Sequence, residues 1–107
     1  MRYIWDLEKG KQLYVENQGM QTVITIITGR SGERQAQRRT FETGVWRVPP
    51  LLLRTATDPV LQMESARGHI FMRIQDNDIS PLRTPPLLIG AEVLPHQQVA
   101  SKEEMGK

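Results

Sequence analysis

Cysteine is absent from this chain of 107 residues, and its absence excludes disulfide bridges, cysteine-ligated metal centres and thiol catalysis. Long apolar runs are also missing, since no stretch approaches the ~18 consecutive apolar residues that a membrane-spanning helix needs. The amino-terminal segment reaches a carboxylate at Asp6 before an apolar run develops, so we expect no signal peptide. Together these absences predict a cytoplasmic protein that makes no contact with a membrane.

Residues that would serve catalysis or metal binding are scarce. The histidines, His69 and His96, are far apart in the sequence, and no glutamate adjoins either at the spacing of a zinc motif. The segment Asp76–Asp78 fails as a calcium loop, because Pro81 and Leu87 stand where glycine and glutamate are needed. No combination of nucleophile, base and orienting group stands out. We therefore expect a protein that is not an enzyme and needs neither metal nor cofactor.

The length allows one small domain, since domains cluster near ~100–150 residues and a second hydrophobic core would have no room. We expect a single β-rich domain over residues 1–99. Residues 100–107 have no periodicity and little apolar mass, so we expect them to form a flexible tail.

Three segments have the pattern of strands. Residues 20–28 are dense in β-branched side chains, which predicts a strand that is buried on both faces near its middle. Residues 11–16 form a second candidate, joined to the first by a short hairpin loop at Asn17–Gly19. The alternation over residues 69–75 predicts a third. We expect strands 20–28 and 69–75 at the centre of the fold.

Two features of the sequence leave alternatives open. Residues 59–67 lie between Asp58 and Gly68, which fits a short helix with a proline at its first position and also fits a strand. Residues 47–53 and 83–89 resemble each other, because each has a proline pair before a run of leucine and isoleucine. This echo indicates either a duplicated unit or a coincidence. After each proline pair we expect a short buried strand.

Frequent turn signals, two proline corners and the lack of a long helical period predict an all-β fold, or a β-rich fold with at most one short helix. The expected architecture is about five to seven short antiparallel strands, arranged as a small partly open barrel or as a two-sheet sandwich.

Positive charge is concentrated in one third of the chain. Arginine outnumbers lysine ten to four, and six of the ten arginines lie between residues 30 and 54, where only Glu33 and Glu42 oppose them. The polar run 33–43 has almost no apolar face, so we expect a solvent-facing edge strand whose arginines discourage edge-to-edge pairing. Disorder of its first half is the alternative.

These features leave two functions from different classes. The first is a non-catalytic protein-interaction or assembly module, whose arginine-rich edge meets an acidic partner and whose polar strand is open to β-addition. The alternative is a small-barrel domain that binds single-stranded DNA or RNA, with arginines on phosphates and Phe41 or Trp46 for stacking. A formal net charge of +2 disfavours the alternative.

Both hypotheses use the same candidate partner-binding residues: Arg30, Arg34, Arg38, Arg39, Phe41, Trp46 and Arg47. Two simpler interpretations compete with them. The charge run also fits a strand face that is merely solvated, and Trp46 also fits a core plug beneath the proline corner.

Overall fold

The computed structural model describes residues 2–7, 10–29, 32–75, 78–86 and 88–99. These residues contain no α-helix, and none belongs to a helix long and apolar enough to cross a membrane. They form ten strands, more than the sequence predicted: β1 (Arg2–Asp6), β2 (Gln12–Gln18), β3 (Gln21–Thr28), β4 (Gln35–Glu42), β5 (Leu51–Arg54), β6 (Val60–Ser65), β7 (Gly68–Gln75), β8 (Asp78–Pro81), β9 (Glu92–Val93) and β10 (Gln97–Val99). The expected all-β fold class is confirmed.

The strands form two antiparallel sheets of five strands each. Sheet 1 has the order β10-β1-β2-β3-β4, and sheet 2 has the order β8-β7-β6-β5-β9. Consecutive strands pair within β1–β4 and within β5–β8, so each half of the chain builds most of one sheet. The last two strands are divided between the sheets, because β9 pairs with β5 and β10 pairs with β1. The result is a small two-sheet sandwich.

The hydrophobic core lies between the sheets. Successive side chains of a strand point to opposite faces, so every second residue of the inner strands enters the core. Sheet 1 contributes Tyr3, Trp5, Leu13, Val15, Ile24 and Ile26, and sheet 2 contributes Leu52, Leu61, Met63, Met72, Ile74 and Ile79. Burial of each such aliphatic side chain stabilises the fold by about 1.5–3 kcal/mol.

The predicted strands are present, but two of them lie elsewhere in the sheets than expected. Residues 20–28 correspond to β3, and the consecutive burial of Thr22, Val23 and Ile24 confirms that it is buried on both faces. However, β2 and β6 hold the middle of the two sheets, and β3 and β7 each lie second from an edge. The predicted middle position is wrong for both strands, because the pattern of side chains reports which of them are buried and not the place of a strand in the order of the sheet.

Residues 59–67 contain strand β6 and not a helix. Alternate residues of this strand are buried, and a two-residue turn at Ala66 and Arg67 leads into β7. Gly68 adopts a φ of 111°, which is strained for residues with a Cβ atom. The helical alternative is wrong because the same punctuation of Asp-Pro and glycine also marks the ends of a hairpin.

The two proline corners differ. After Pro49 and Pro50 the chain enters sheet 2 as β5, with Leu52 and Leu53 buried, so the buried strand predicted there is confirmed. In the second copy the described residues form no strand, and Ile89 is 88% exposed. The prediction of a buried strand after the second pair is therefore wrong over these residues, and duplication stays a hypothesis.

Leu94, between β9 and β10, contacts both sheets through its backbone. Its amide donates to the carbonyl of Leu52 in sheet 2 at 2.9 Å. Its carbonyl accepts a bond from Nε1 of Trp5 in sheet 1 at 3.3 Å. The carboxy-terminal part of the described chain therefore joins the sheets. The predicted tail at residues 100–107 lies outside the described residues.

Candidate functional site

Strand β4 forms one edge of sheet 1, as the sequence predicts. Its strand partner in the described chain is β3, and the ladder between them runs unbroken from Gln21–Glu42 to Thr28–Gln35. All of its residues are exposed except Phe41, which is partly buried against the core. A strand without an apolar face has no reason to enter the core, and its place at the edge leaves one side of its backbone open.

The hairpin between β2 and β3 determines which backbone groups of β4 are used. Its two-residue loop lies between Gln18 and Gln21, and such a loop closes on a hydrogen-bonded pair. Hydrogen-bonded and non-hydrogen-bonded pairs alternate along an antiparallel ladder. Gln21 and every second residue after it therefore form backbone hydrogen bonds with β2. The residues of β3 between them form backbone hydrogen bonds with β4. The amide of Gly44 donates to the carbonyl of Met20 at 2.8 Å, in agreement with this alternation.

The same alternation divides the residues of β4 into two sets. The residues that bond β3 are Gln35, Gln37, Arg39 and Phe41. The residues between them direct their N–H and C=O groups away from the sheet: Ala36, Arg38, Thr40 and Glu42. The carbonyl of Glu42 accepts a bond from Nη1 of Arg67 at 3.3 Å. Ala36, Arg38 and Thr40 thus present unused backbone groups within the described part of the chain.

Arg38 and Arg39 point to opposite faces of sheet 1. Directly opposite residues of an antiparallel pair share a face. Arg39 lies opposite the core residue Ile24, and Arg38 lies opposite Thr25. Arg39 therefore points toward sheet 2, whereas Arg38 points to the outer side.

Arg39 joins the edges of the two sheets. Its Nη1 donates to Oδ1 of Asp78 on β8 at 2.8 Å, and its guanidinium lies 5.5 Å from the centre of the Phe41 ring. The two charged side chains are 45% and 62% exposed, so water screens the pair and its contribution is about 0–1 kcal/mol. Arg39 is therefore already engaged within the molecule.

Arg34 and Arg38 remain available to a partner. Both are exposed, and neither forms a salt bridge with any residue that the structure describes. Arg34 precedes β4 by one residue, and Arg38 lies in its middle. The planar guanidinium of arginine binds a carboxylate or a phosphate through two parallel hydrogen bonds.

Trp46 faces inward. Its ring packs against the core and lies 6.1 Å from the ring of Tyr3. Its Nε1 donates to Oγ1 of Thr22 at 2.9 Å, and that hydroxyl lies 2.6 Å from Oγ1 of Thr43. The side chain therefore occupies the position of a core plug, which the sequence offered as an alternative to stacking.

The structure brings together only part of the predicted set. Arg34, Arg38, Arg39 and Phe41 lie along or beside β4. Arg47 is exposed but lies in the crossover to sheet 2, where its amide donates to the carbonyl of Glu64 at 2.8 Å. Arg30 lies outside the described residues. Asp78 was missed, because the segment Asp76–Asp78 was tested only as a calcium loop and no local pattern indicates the contact of Asp78 with Arg39.

A cavity of about 710 Å³ lies apart from β4. Its lining combines apolar residues such as Ile4, Ile74 and Leu94 with Asp58, Lys11 and His96. The volume is in the range of small-molecule sites, but the lining has charges of both signs and favours no ligand class. Within the described residues, no cluster of histidine and carboxylate side chains is arranged to hold a metal ion.

No family model, curated protein or solved structure matches the chain. Its function must therefore be inferred from its own geometry.

Proposed function

We propose that this protein is a small, non-catalytic binding module that holds an acidic protein partner against the arginine-bearing edge of sheet 1. The observation that carries the proposal is the exposed strand β4 with Arg34 and Arg38, neither of which is in a salt bridge within the described chain. Surface arginines opposite carboxylates accelerate association and select the partner more than they raise affinity. This role fits an accessory or assembly factor.

Binding of single-stranded nucleic acid has weaker support. Such proteins stack bases on exposed aromatic rings among cations. The two rings predicted for this task are packed against the core, and Phe41 also has the guanidinium of Arg39 over its ring. The arginines alone would supply phosphate contacts, whose affinity falls steeply with salt.

The experiment compares two charge-neutralising double variants. Arg34→Gln with Arg38→Gln alters the proposed surface, and Arg73→Gln with Arg83→Gln removes the same charge from other exposed positions. The probes are a fluorescent peptide of alternating glutamate and threonine and a single-stranded oligonucleotide, followed by fluorescence anisotropy at several salt concentrations.

We expect the acidic peptide to bind the wild type, and the first variant to weaken it by about three- to tenfold, since each exposed ion pair contributes ~0.2–1 kcal/mol. The second variant should change the affinity less than about twofold, because Arg73 is on β7 of sheet 2 and Arg83 follows β8, so neither is on the open edge of β4. Equal losses in both variants would mean that only net charge matters and would overturn the proposal. Oligonucleotide binding whose salt slope falls by about one per arginine removed would favour the alternative.

A further inference from the structure

We infer that the partner contributes an extended acidic segment that pairs with β4 as a further strand of sheet 1, through the backbone of Ala36, Arg38 and Thr40. This inference rests on the proposed function and specifies the conformation of the partner and the atoms that it bonds. Strand addition to an exposed sheet edge takes affinity from main-chain hydrogen bonds and specificity from alternate side chains.

The length and regularity of β4 favour this binding mode. The strand has eight residues, contains no proline, and pairs with β3 without a bulge. Natural sheets commonly protect their edges by short strands, proline, bulges or charge. Of these four devices β4 has only charge. Its two arginines outnumber Glu42, whose carboxylate accepts a bond from Nε2 of Gln21 at 2.8 Å, so the edge attracts an acidic strand.

Strand β8, the facing edge of sheet 2, is protected in a way that β4 is not. It has four residues and ends at Pro81, which has no amide hydrogen to donate. The amide of Leu82 donates to the carbonyl of Phe71 at 2.9 Å, so the alternation directs Ile79 and Pro81 outward. The outward amide of Ile79 already donates to Oδ1 of Asp78 at 2.9 Å. A partner strand therefore meets free donors and acceptors on β4 and no free donor on β8.

Charge identifies the occupant of the β4 edge. Residues of an added strand directly across from Arg38 share its outer face, so a carboxylate there meets an exposed guanidinium. Arg34 and Arg38 are four residues apart, which corresponds to about 13 Å along a strand. Carboxylates four residues apart in the partner reach both arginines. On the opposite parity a carboxylate lies across from Arg39, whose guanidinium is already bonded to Asp78, so the guanidinium of Arg38, unpaired within the described chain, favours carboxylates on the outer face.

A second copy of this chain is the competing occupant. Antiparallel pairing of two β4 strands centred on Arg38 places like charges opposite each other, which destabilises the pairing, whereas pairing centred on Thr40 places Arg38 opposite Glu42. An acidic strand meets Arg38 without this restriction on register, so we infer an acidic partner. A dimer of the free protein in size-exclusion chromatography that the Thr40→Pro variant abolishes would overturn this choice of occupant.

Hydrogen exchange of the free and peptide-bound wild-type protein tests the inference at single residues. The probe is the peptide of alternating glutamate and threonine. In the free protein we expect fast exchange for the amides of Ala36, Arg38 and Thr40 and slow exchange for those of Gln37 and Arg39. Saturation with the peptide should slow hydrogen exchange of the amides of Ala36, Arg38 and Thr40 by about tenfold or more. The exchange rates of the Gln37 and Arg39 amides should stay unchanged.

Backbone methylation of the peptide provides a second, variant-free measurement. One peptide carries N-methyl groups on its glutamates and the other on its threonines, so each loses one set of amide donors. We expect one methylated peptide to lose about tenfold or more in affinity and the other to stay within about twofold.

The Thr40→Pro variant should likewise lose binding while its circular dichroism spectrum is retained, because proline is tolerated where an amide points out of the sheet.

The two proposals fail in different ways. If no acidic peptide binds the wild type, the proposed function is overturned and strand addition with it. If the peptide binds and Arg34→Gln with Arg38→Gln weakens it, but the outward amides stay unprotected and both methylated peptides bind equally, strand addition is overturned and the binding surface remains. Alternate protection together with sensitivity to one methylation pattern supports the inference.

Discussion

Strands β3 and β4 are neighbours in one sheet and equal in length, yet they differ in almost every other respect. β3 has three residues that are consecutively buried and supplies Ile24 and Ile26 to the core, whereas β4 is exposed along nearly its whole length. Their ladder is complete, so backbone pairing does not distinguish them. Side-chain burial does, and it separates a strand that supplies the core from a strand that is exposed at the edge of the sheet.

The largest expected effect is the insertion of a charge into β3. Ile24→Asp places an unpaired carboxylate at a fully buried position, and it should lower the free energy of unfolding by about 3–5 kcal/mol. The matched variant is Gln37→Asp on β4, which lies opposite Ile26 but is exposed. It should lose less than about 1 kcal/mol. Urea denaturation measures both, and equal losses would contradict the difference between the strands.

Matched threonine substitutions sharpen the comparison without introducing charge. Thr22 on β3 is fully buried, accepts the Trp46 Nε1 bond and lies beside the Thr43 hydroxyl. Thr22→Val leaves that indole N–H without a partner, so stability should fall by about 1–3 kcal/mol. Thr40→Val on the exposed strand should change it by no more than ~0.5 kcal/mol. Thermal unfolding of both variants checks this, and a neutral Thr22→Val would show that the polar contacts are dispensable.

A smaller effect is expected for the contact between the sheet edges. A double-mutant cycle of Arg39→Gln and Asp78→Asn should give a coupling energy of about 0–1 kcal/mol, because both side chains are largely exposed. The coupling should shrink in high salt. A value above about 2 kcal/mol would show that this ion pair stabilises the fold, contrary to the small contribution expected of an exposed pair.

The smallest effect on stability is expected where the proposed function lies. Arg34→Gln with Arg38→Gln should change the free energy of unfolding, measured by urea denaturation, by no more than about ±0.5 kcal/mol, the range of surface substitutions. The same variant should lose binding of the acidic peptide. Lost stability together with lost binding would instead indicate that the arginines act through the fold.

Local sequence patterns were sufficient for the parts of the fold that depend on one strand at a time. The polar alternation of residues 33–43 predicted an exposed edge, and the β-branched run at 20–28 predicted a buried strand, because side-chain burial follows the period of two. Residues 59–67 were ambiguous, since the same turn residues end helices and hairpins. The strand predicted after the second proline pair is absent from the described residues, because an aliphatic run becomes a strand only where a neighbouring strand has a free edge.

The candidate site was predictable only in part. Arg34 and Arg38 were found because exposure and charge are properties of the local pattern. The ion pair of Arg39 with Asp78 was not predicted, because it depends on how the edges of the two sheets meet and because Asp78 is 39 residues away in the chain. Trp46 was included in the site because a tryptophan among arginines has the same local pattern whether its ring faces water or the core.

The contact of Leu94 with both sheets has a consequence for the order of folding. Strands β1–β4 and β5–β8 pair with their sequence neighbours, so each half can form through short-range contacts. The hydrogen bond from Trp5 to Leu94 joins residues 89 positions apart. Closing so long a loop lowers the entropy of the chain before the contact contributes a favourable free energy. We therefore expect the two halves to form early and the closing segment to dock late. Substitutions at Leu94 should then raise the unfolding rate and leave the folding rate almost unchanged.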